Sequence, residues 1–78
     1  SSELRLGLYL YKTRQVKIVL YDCAGRITAE LLNRKVEAGN HIFDWRLDKV
    51  SLKPLPQGVY ILSVKIDNET ITKKLVKI

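Results

Sequence analysis

The sequence predicts an all-β fold, an antiparallel β-sandwich of about seven strands. Three observations predict it. Apolar and polar residues alternate along several segments, which is the period of a strand and not of a helix. Clusters of Gly, Asp, Asn or Pro separate those segments. The segments recur at intervals of about 8–12 residues, the spacing of small sandwiches.

The first segment is Glu3-Leu4-Arg5-Leu6-Gly7-Leu8-Tyr9-Leu10-Tyr11-Lys12. Leu4, Leu6, Leu8 and Leu10 take every second position, so one face is strongly apolar. Thr13-Arg14 reads as a short turn. A second strand is expected from Gln15 to Asp22, with Val16, Ile18 and Leu20 inward and Val19 and Tyr21 on the outer face. Asp22-Cys23-Ala24-Gly25-Arg26 reads as a tight turn. Asp can accept from the backbone that follows it, and Gly takes positive φ without steric cost.

A third strand is expected from Arg26 to about Leu32. Ala29-Glu30-Leu31-Leu32 carries some helical propensity, but the alternation around it favours a strand. Glu37-Ala38-Gly39-Asn40 is a second turn cluster. His41 to Leu47 restores the alternation, with Phe43 and Trp45 on one face and Asp44 and Arg46 on the other. Trp45, the only Trp, is expected to anchor the core between the sheets. His41 falls on the same side and reads as structural. Asp48 to Gln57 is irregular, because Pro54 and Pro56 cannot donate to a ladder. Gly58 to Ile66 is the clearest strand, with Tyr60, Leu62, Val64 and Ile66 alternating. Asp67-Asn68 reads as a hairpin turn, and the last strand runs from Glu69 to Ile78. Seven short antiparallel strands of this kind describe an immunoglobulin-like sandwich.

Length and charge bound the rest. Seventy-eight residues suit one domain. A chain of this size buries only about 60% of its unfolded surface, so its core must be efficient. The opening Ser1-Ser2, followed almost at once by a strand pattern, suggests a piece of a larger protein. No apolar run approaches the ~20 residues of a membrane helix, and no secretory leader pattern is present. One cysteine, Cys23, cannot form an intramolecular disulfide, and it reads as an ordinary turn residue. One Cys and one His far apart make no metal-ligand cluster.

The net charge of +6 raises nucleic acid or an anionic surface as partners. The basic residues are scattered, however: Lys12, Arg14 and Lys17 near the first hairpin, and Lys73, Lys74 and Lys77 near the end. A solvated basic face is therefore expected, or else attraction to an anionic bacterial surface, before a nucleic-acid site. Lysine on exposed strands also blocks edge-to-edge pairing.

Catalytic patterns are missing. There is no Gly-rich phosphate loop and no Gly-x-Ser-x-Gly elbow. Asp44 and Asp48 are the nearest candidate carboxylate pair, but they neighbour Arg46 and Lys49 and read as surface residues. The expectation is a domain that binds or displays, with no enzyme activity and no cofactor.

Four stretches go further. Val16-Lys17-Ile18-Val19-Leu20-Tyr21-Asp22-Cys23-Ala24-Gly25-Arg26 resembles the V-x-I-x-L-Y-D-x-x-G-R stretch of the C-terminal sorting domains of the type IX secretion system. Leu55-Pro56-Gln57-Gly58-Val59-Tyr60-Ile61-Leu62-Ser63-Val64 resembles that family's L-x-x-G-V-Y-x-x-x-V strand. Thr72-Lys73-Lys74-Leu75-Val76-Lys77-Ile78 resembles its terminal T-x-K-[LMV]-x-[KV] segment. Gly39, His41 and Trp45 match its G-x-H-x-x-x-W strand. The resemblance covers roughly Val16 to Ile78, and its specificity lies in the order and spacing of the motifs.

The resemblance implies an immunoglobulin-like sandwich that follows a cargo domain in the same chain. It implies export through the periplasm to the outer membrane or surface of a Gram-negative bacterium. The implied partners are an outer-membrane translocon and a surface sortase that usually removes the domain. Gly25 and Arg26 then correspond to the turn motif, and Gly58 and Tyr60 to the glycine-tyrosine strand. Lys73, Lys74, Val76, Lys77 and Ile78 correspond to the terminal segment that the translocon recognises. The family's Pro-Asn-Pro-like start is not found here. The flagellar hook-cap sandwich shares Y-D-x-x-G-R and G-x-Y strands. A structural or adhesive module, hook-cap-like or carbohydrate-binding, is therefore the alternative. Self-association through an edge strand is a third reading.

Overall fold

A computed structural model describes residues 3–51 and 54–78. Ser1, Ser2, Leu52 and Lys53 lie outside the described residues, and with them part of the segment expected to be irregular. The described residues form six strands: β1 (Glu3–Leu10), β2 (Arg14–Asp22), β3 (Ile27–Val36), β4 (Gly39–Arg46), β5 (Gly58–Ile66) and β6 (Glu69–Lys77). The expected count of about seven is corrected to six, because no described residue between β4 and β5 pairs in a ladder.

Two antiparallel sheets result. One is the pair β1-β4, and the other has the order β3-β2-β5-β6. Their facing residues Leu10, Val16, Ile18, Leu20, Ala29, Val36, Tyr60, Leu62 and Val64 make the core, together with Leu47 and Leu55 from between β4 and β5. Leu4, Leu6 and Leu8 of β1, with Phe43 and Trp45 of β4, pack on it from the second sheet. Trp45 therefore flanks the core, half-buried, while the fully buried centre is aliphatic, with Ile18 and Leu20 at 0% exposure.

Three boundaries move. Arg14 opens β2 and is not a turn residue, Gly39 and Asn40 belong to β4, and β3 continues to Val36. β3 extends because Asn33 to Val36 pair with Lys17 to Arg14 of β2. Its pairing with β2 slips twice, between Ile18 and Val19 and between Leu20 and Tyr21. Ile18 faces Leu32 while Val19 faces Glu30, so Leu31 is an extra residue. Such bulges let neighbours that break the alternation share one side of a sheet. Leu31 and Leu32 are both half-buried against the core.

Two turns behave as the residues require. Gly25 has φ 85° in the β2–β3 turn, and Asp67 has φ 52° in the β5–β6 turn. Asp67 is held in that conformation from both sides. Its backbone N–H donates to the Gln15 carbonyl at 3.0 Å, and its carboxylate accepts from Arg14 at 3.0 Å.

Candidate functional site

The pairing registers bring the turn, glycine-tyrosine and terminal motifs to one end of the larger sheet, while Gly39, His41 and Trp45 lie on β4 of the smaller sheet. Asp22, the last residue of β2, faces Tyr60 of β5. Gly58, at the start of β5, faces Lys77, and Val59 faces Val76. The β2–β3 turn with Gly25 and Arg26, the start of β5 and the end of β6 therefore share an edge of the molecule. A hollow of about 200 Å³ lies there, lined in part by Asp22, Arg26, Pro56, Gly58 and Tyr60.

Asp22 organises the turn. One of its oxygens accepts from the backbone N–H groups of Ala24 and Arg26, each at 2.9 Å. The other accepts from Arg26 Nε at 3.0 Å. The Asp22 carbonyl takes the Gly25 N–H at 3.0 Å, and the Asp22 N–H donates to the Arg26 carbonyl at 2.9 Å. These donors, the Arg26 backbone first, hold the Asp22 carboxyl below its ordinary range. Arg26 thus has a partner in Asp22. Its side chain is nevertheless 81% exposed, so the remaining guanidinium N–H donors face solvent.

Gly58 has φ 147°, a conformation that glycine alone adopts at low cost. Two residues on, Tyr60 turns its ring into the core at 6% exposure. Its hydroxyl donates to the Pro56 carbonyl at 2.6 Å. This closes the chain before β5 into a loop across Gly58. Burial keeps the Tyr60 phenol protonated above its ordinary value, and the nearby Asp22 and Cys23 add to that effect. Cys23 is an exposed free thiol in the turn.

The terminal lysines do not form one cluster. Lys73 faces Leu62, which points into the core, and Lys74 faces Ile61 on the outer side. Adjacent strand residues point to opposite faces, so the two charges diverge. Lys77 shares the inner side with Leu75, and Val76 lies outside at 63% exposure. Ile78 follows the end of β6 and is 84% exposed, so the expected last strand stops one residue short. Among the described residues β6 pairs only with β5, and none of them pairs with its second edge.

Sequence reasoning named Gly25, Arg26, Gly58 and Tyr60 but passed over Asp22 and Pro56 as site residues. The signal for Asp22 was available, since an Asp at the head of a turn accepts from the backbone two residues on. The signal for Pro56 was not, because a carbonyl contributes nothing to residue identity. Asp44 and Asp48 do not act as a pair. Arg5 Nε holds Asp44 at 2.7 Å, and Arg46 holds Asp48 at 3.2 Å. That Arg46 contact, its first cause, lowers the Asp48 carboxyl from its ordinary range.

A second opening lies between β3 and β4. It is a cleft of about 440 Å³ lined mainly by Glu30, Leu31, Trp45, Lys49 and Val50. Trp45 is the end of a run of stacked rings, with Phe43 at 5.9 Å and His41 a further 6.0 Å along. His41 Nε2 lies 2.6 Å from the Glu37 carbonyl, which gives it the structural place expected of it.

No curated protein and no solved structure gives a match to the chain. A family model described as the secretion system C-terminal sorting domain matches residues 1–78. That match spans every motif residue placed above, and the chain belongs to the C-terminal sorting domains of the type IX secretion system.

Proposed function

We propose that this domain is read, as a folded unit, by an outer-membrane translocon that carries the preceding cargo from the periplasm to the cell surface. The observation that supports this reading most is the convergence of the turn, glycine-tyrosine and terminal motifs at one end of the larger sheet. There the turn offers exposed guanidinium donors, and the last strand offers an edge unpaired among the described residues. A partner can add a strand to such an edge and take its specificity from flanking side chains. Removal by a surface sortase belongs to the same reading. So does the lack of enzyme activity, since the candidate carboxylates are each tied to an arginine.

The test is export of a reporter. The domain and its native upstream segment are fused to a reporter in a host with this machinery, and surface reporter is measured. Deleting Thr72–Ile78 is expected to abolish surface delivery while the reporter stays inside. Undiminished delivery would overturn the reading.

The adhesive alternative draws on one observation, the Trp45-lined cleft with polar groups at its rim. Saccharides stack on aromatic faces of this kind. Specific glycan binding lost in Trp45→Ala, together with normal export after the terminal deletion, would favour it.

A further inference from the structure

The outer face of the larger sheet carries a feature that the sorting motifs do not use. Lys17 of β2 lies directly opposite Lys65 of β5. Cross-strand neighbours sit about 5 Å apart at Cβ, and like charges there repel. Among the described residues, neither lysine forms an ion pair. Asp22, Asp44, Asp48 and Asp67 are each held by an arginine. Glu30, across from Val19, lines the Trp45 cleft at the edge of the sheet. Asp67 lines a small hollow beside the lysines but is already bound to Arg14. The pair thus places two positive charges side by side, at a backbone spacing that the register fixes and with no ion-pair partner among the described residues.

Its surroundings have the form of a cup. Lys17, Val19, Tyr21, Ser63, Lys65 and Thr70 line a hollow of about 290 Å³. Val19 forms the apolar floor. It faces outward by register, lies outside the core cluster, and is still only 5% exposed. Ser63 faces Val19 across the strands, and Thr70 faces Lys65. Two lysines and three hydroxyl-bearing residues, Tyr21, Ser63 and Thr70, therefore border the cup on three adjacent strands. A carboxylate has two oxygens and one charge to offer them. A phosphate monoester has three terminal oxygens and close to two charges, which matches the donors and the charge of the site.

We propose that Lys17 and Lys65, with Ser63 and Thr70, form a binding site for a terminal phosphate group, as the free anion or a monoester. It lies towards the opposite end of β5 from Gly58 and Tyr60, so its failure would leave the sorting reading intact. The group can belong to free phosphate or to a lipid headgroup, and the test separates the two.

The 78-residue chain is labelled with nitrogen-15 and titrated with inorganic phosphate, with acetate as the control anion. Phosphate is expected to shift the amides of Lys17, Val19, Ser63, Lys65 and Thr70 saturably, and acetate is not. The variant Lys17→Gln/Lys65→Gln is expected to bind phosphate about tenfold more weakly or worse. Lys12→Gln/Lys49→Gln removes the same charge at exposed positions away from the cup and is expected to bind as the parent does. Circular dichroism checks that both variants are folded. Co-sedimentation with phosphatidic acid vesicles, and not with phosphatidylcholine vesicles, would identify a headgroup as the source. Phosphate shifts without co-sedimentation would identify the free anion. Equal loss in the two double variants, or no saturable shift at the cup, would overturn the proposal.

Discussion

Asp22 closes the β2–β3 turn with a single carboxylate that serves two backbone donors and one guanidinium. Its carboxyl titrates lower in the folded chain than in the unfolded one. The stability it adds is therefore complete above its ordinary value near 3.8 and is lost as the pH falls through the lower folded value. The urea midpoint is expected to drop in this acid range, and Asp22→Asn to show a smaller drop than the parent. Identical acid profiles would contradict this role. Tyr60 makes a different prediction. Tyr60→Phe keeps the buried ring and loses only the bond to Pro56. The cost should be modest, about 0.5–1.5 kcal/mol in urea unfolding, because water can reach the exposed Pro56 segment. A loss several times larger would mean that the bond holds the whole entry into β5.

The strands were legible where both sides of the alternation are clean, as in β1 and β5. They were less legible where the chain departs from period two. Ala29-Glu30-Leu31-Leu32 places two leucines in sequence, which hints at a helix, and the structure accommodates both with a bulge. A bulge depends on the partner strand, so β3 alone could not announce it. Register was equally hidden. The motifs could be found one by one, but the meeting of the turn, glycine-tyrosine and terminal motifs at one end of a sheet comes from the pairing of β2 with β5 and of β5 with β6. The same pairing splits Lys73 from Lys74 and gives them a further task. Ile71 and Val76 are more than half exposed beside the open edge of β6. Flanking lysines oppose edge-to-edge association of such a strand. Lys73→Val/Lys74→Val is expected to make sedimentation concentration-dependent where the parent is not. Unchanged sedimentation would show that the edge is protected by something else.

At the scale of the whole molecule, a small sandwich without a disulfide rests on a short list of aliphatic side chains. Domains are held together by only about 5–15 kcal/mol, and one this small is expected near the lower end. Ile18 is at 0% exposure in the central strand of the core. Ile18→Ala should cost roughly 2–5 kcal/mol through lost burial and a residual cavity, enough to unfold much of the population. Ile18→Val removes one methylene and should cost only about 0.5–1.5 kcal/mol. This graded pair separates recognition of a fold from recognition of a peptide. Both variants leave the turn, glycine-tyrosine and terminal residues in place, and Ile18, although part of the first motif, is fully buried in the folded domain and out of a partner's reach. If the translocon reads the assembled end of the sheet, export of a fused reporter should fall in step with the folded fraction, slightly for Val and severely for Ala. If the terminal segment is read as an extended peptide, both variants should export as the parent does. Urea unfolding and surface delivery, measured on the same proteins, decide between them.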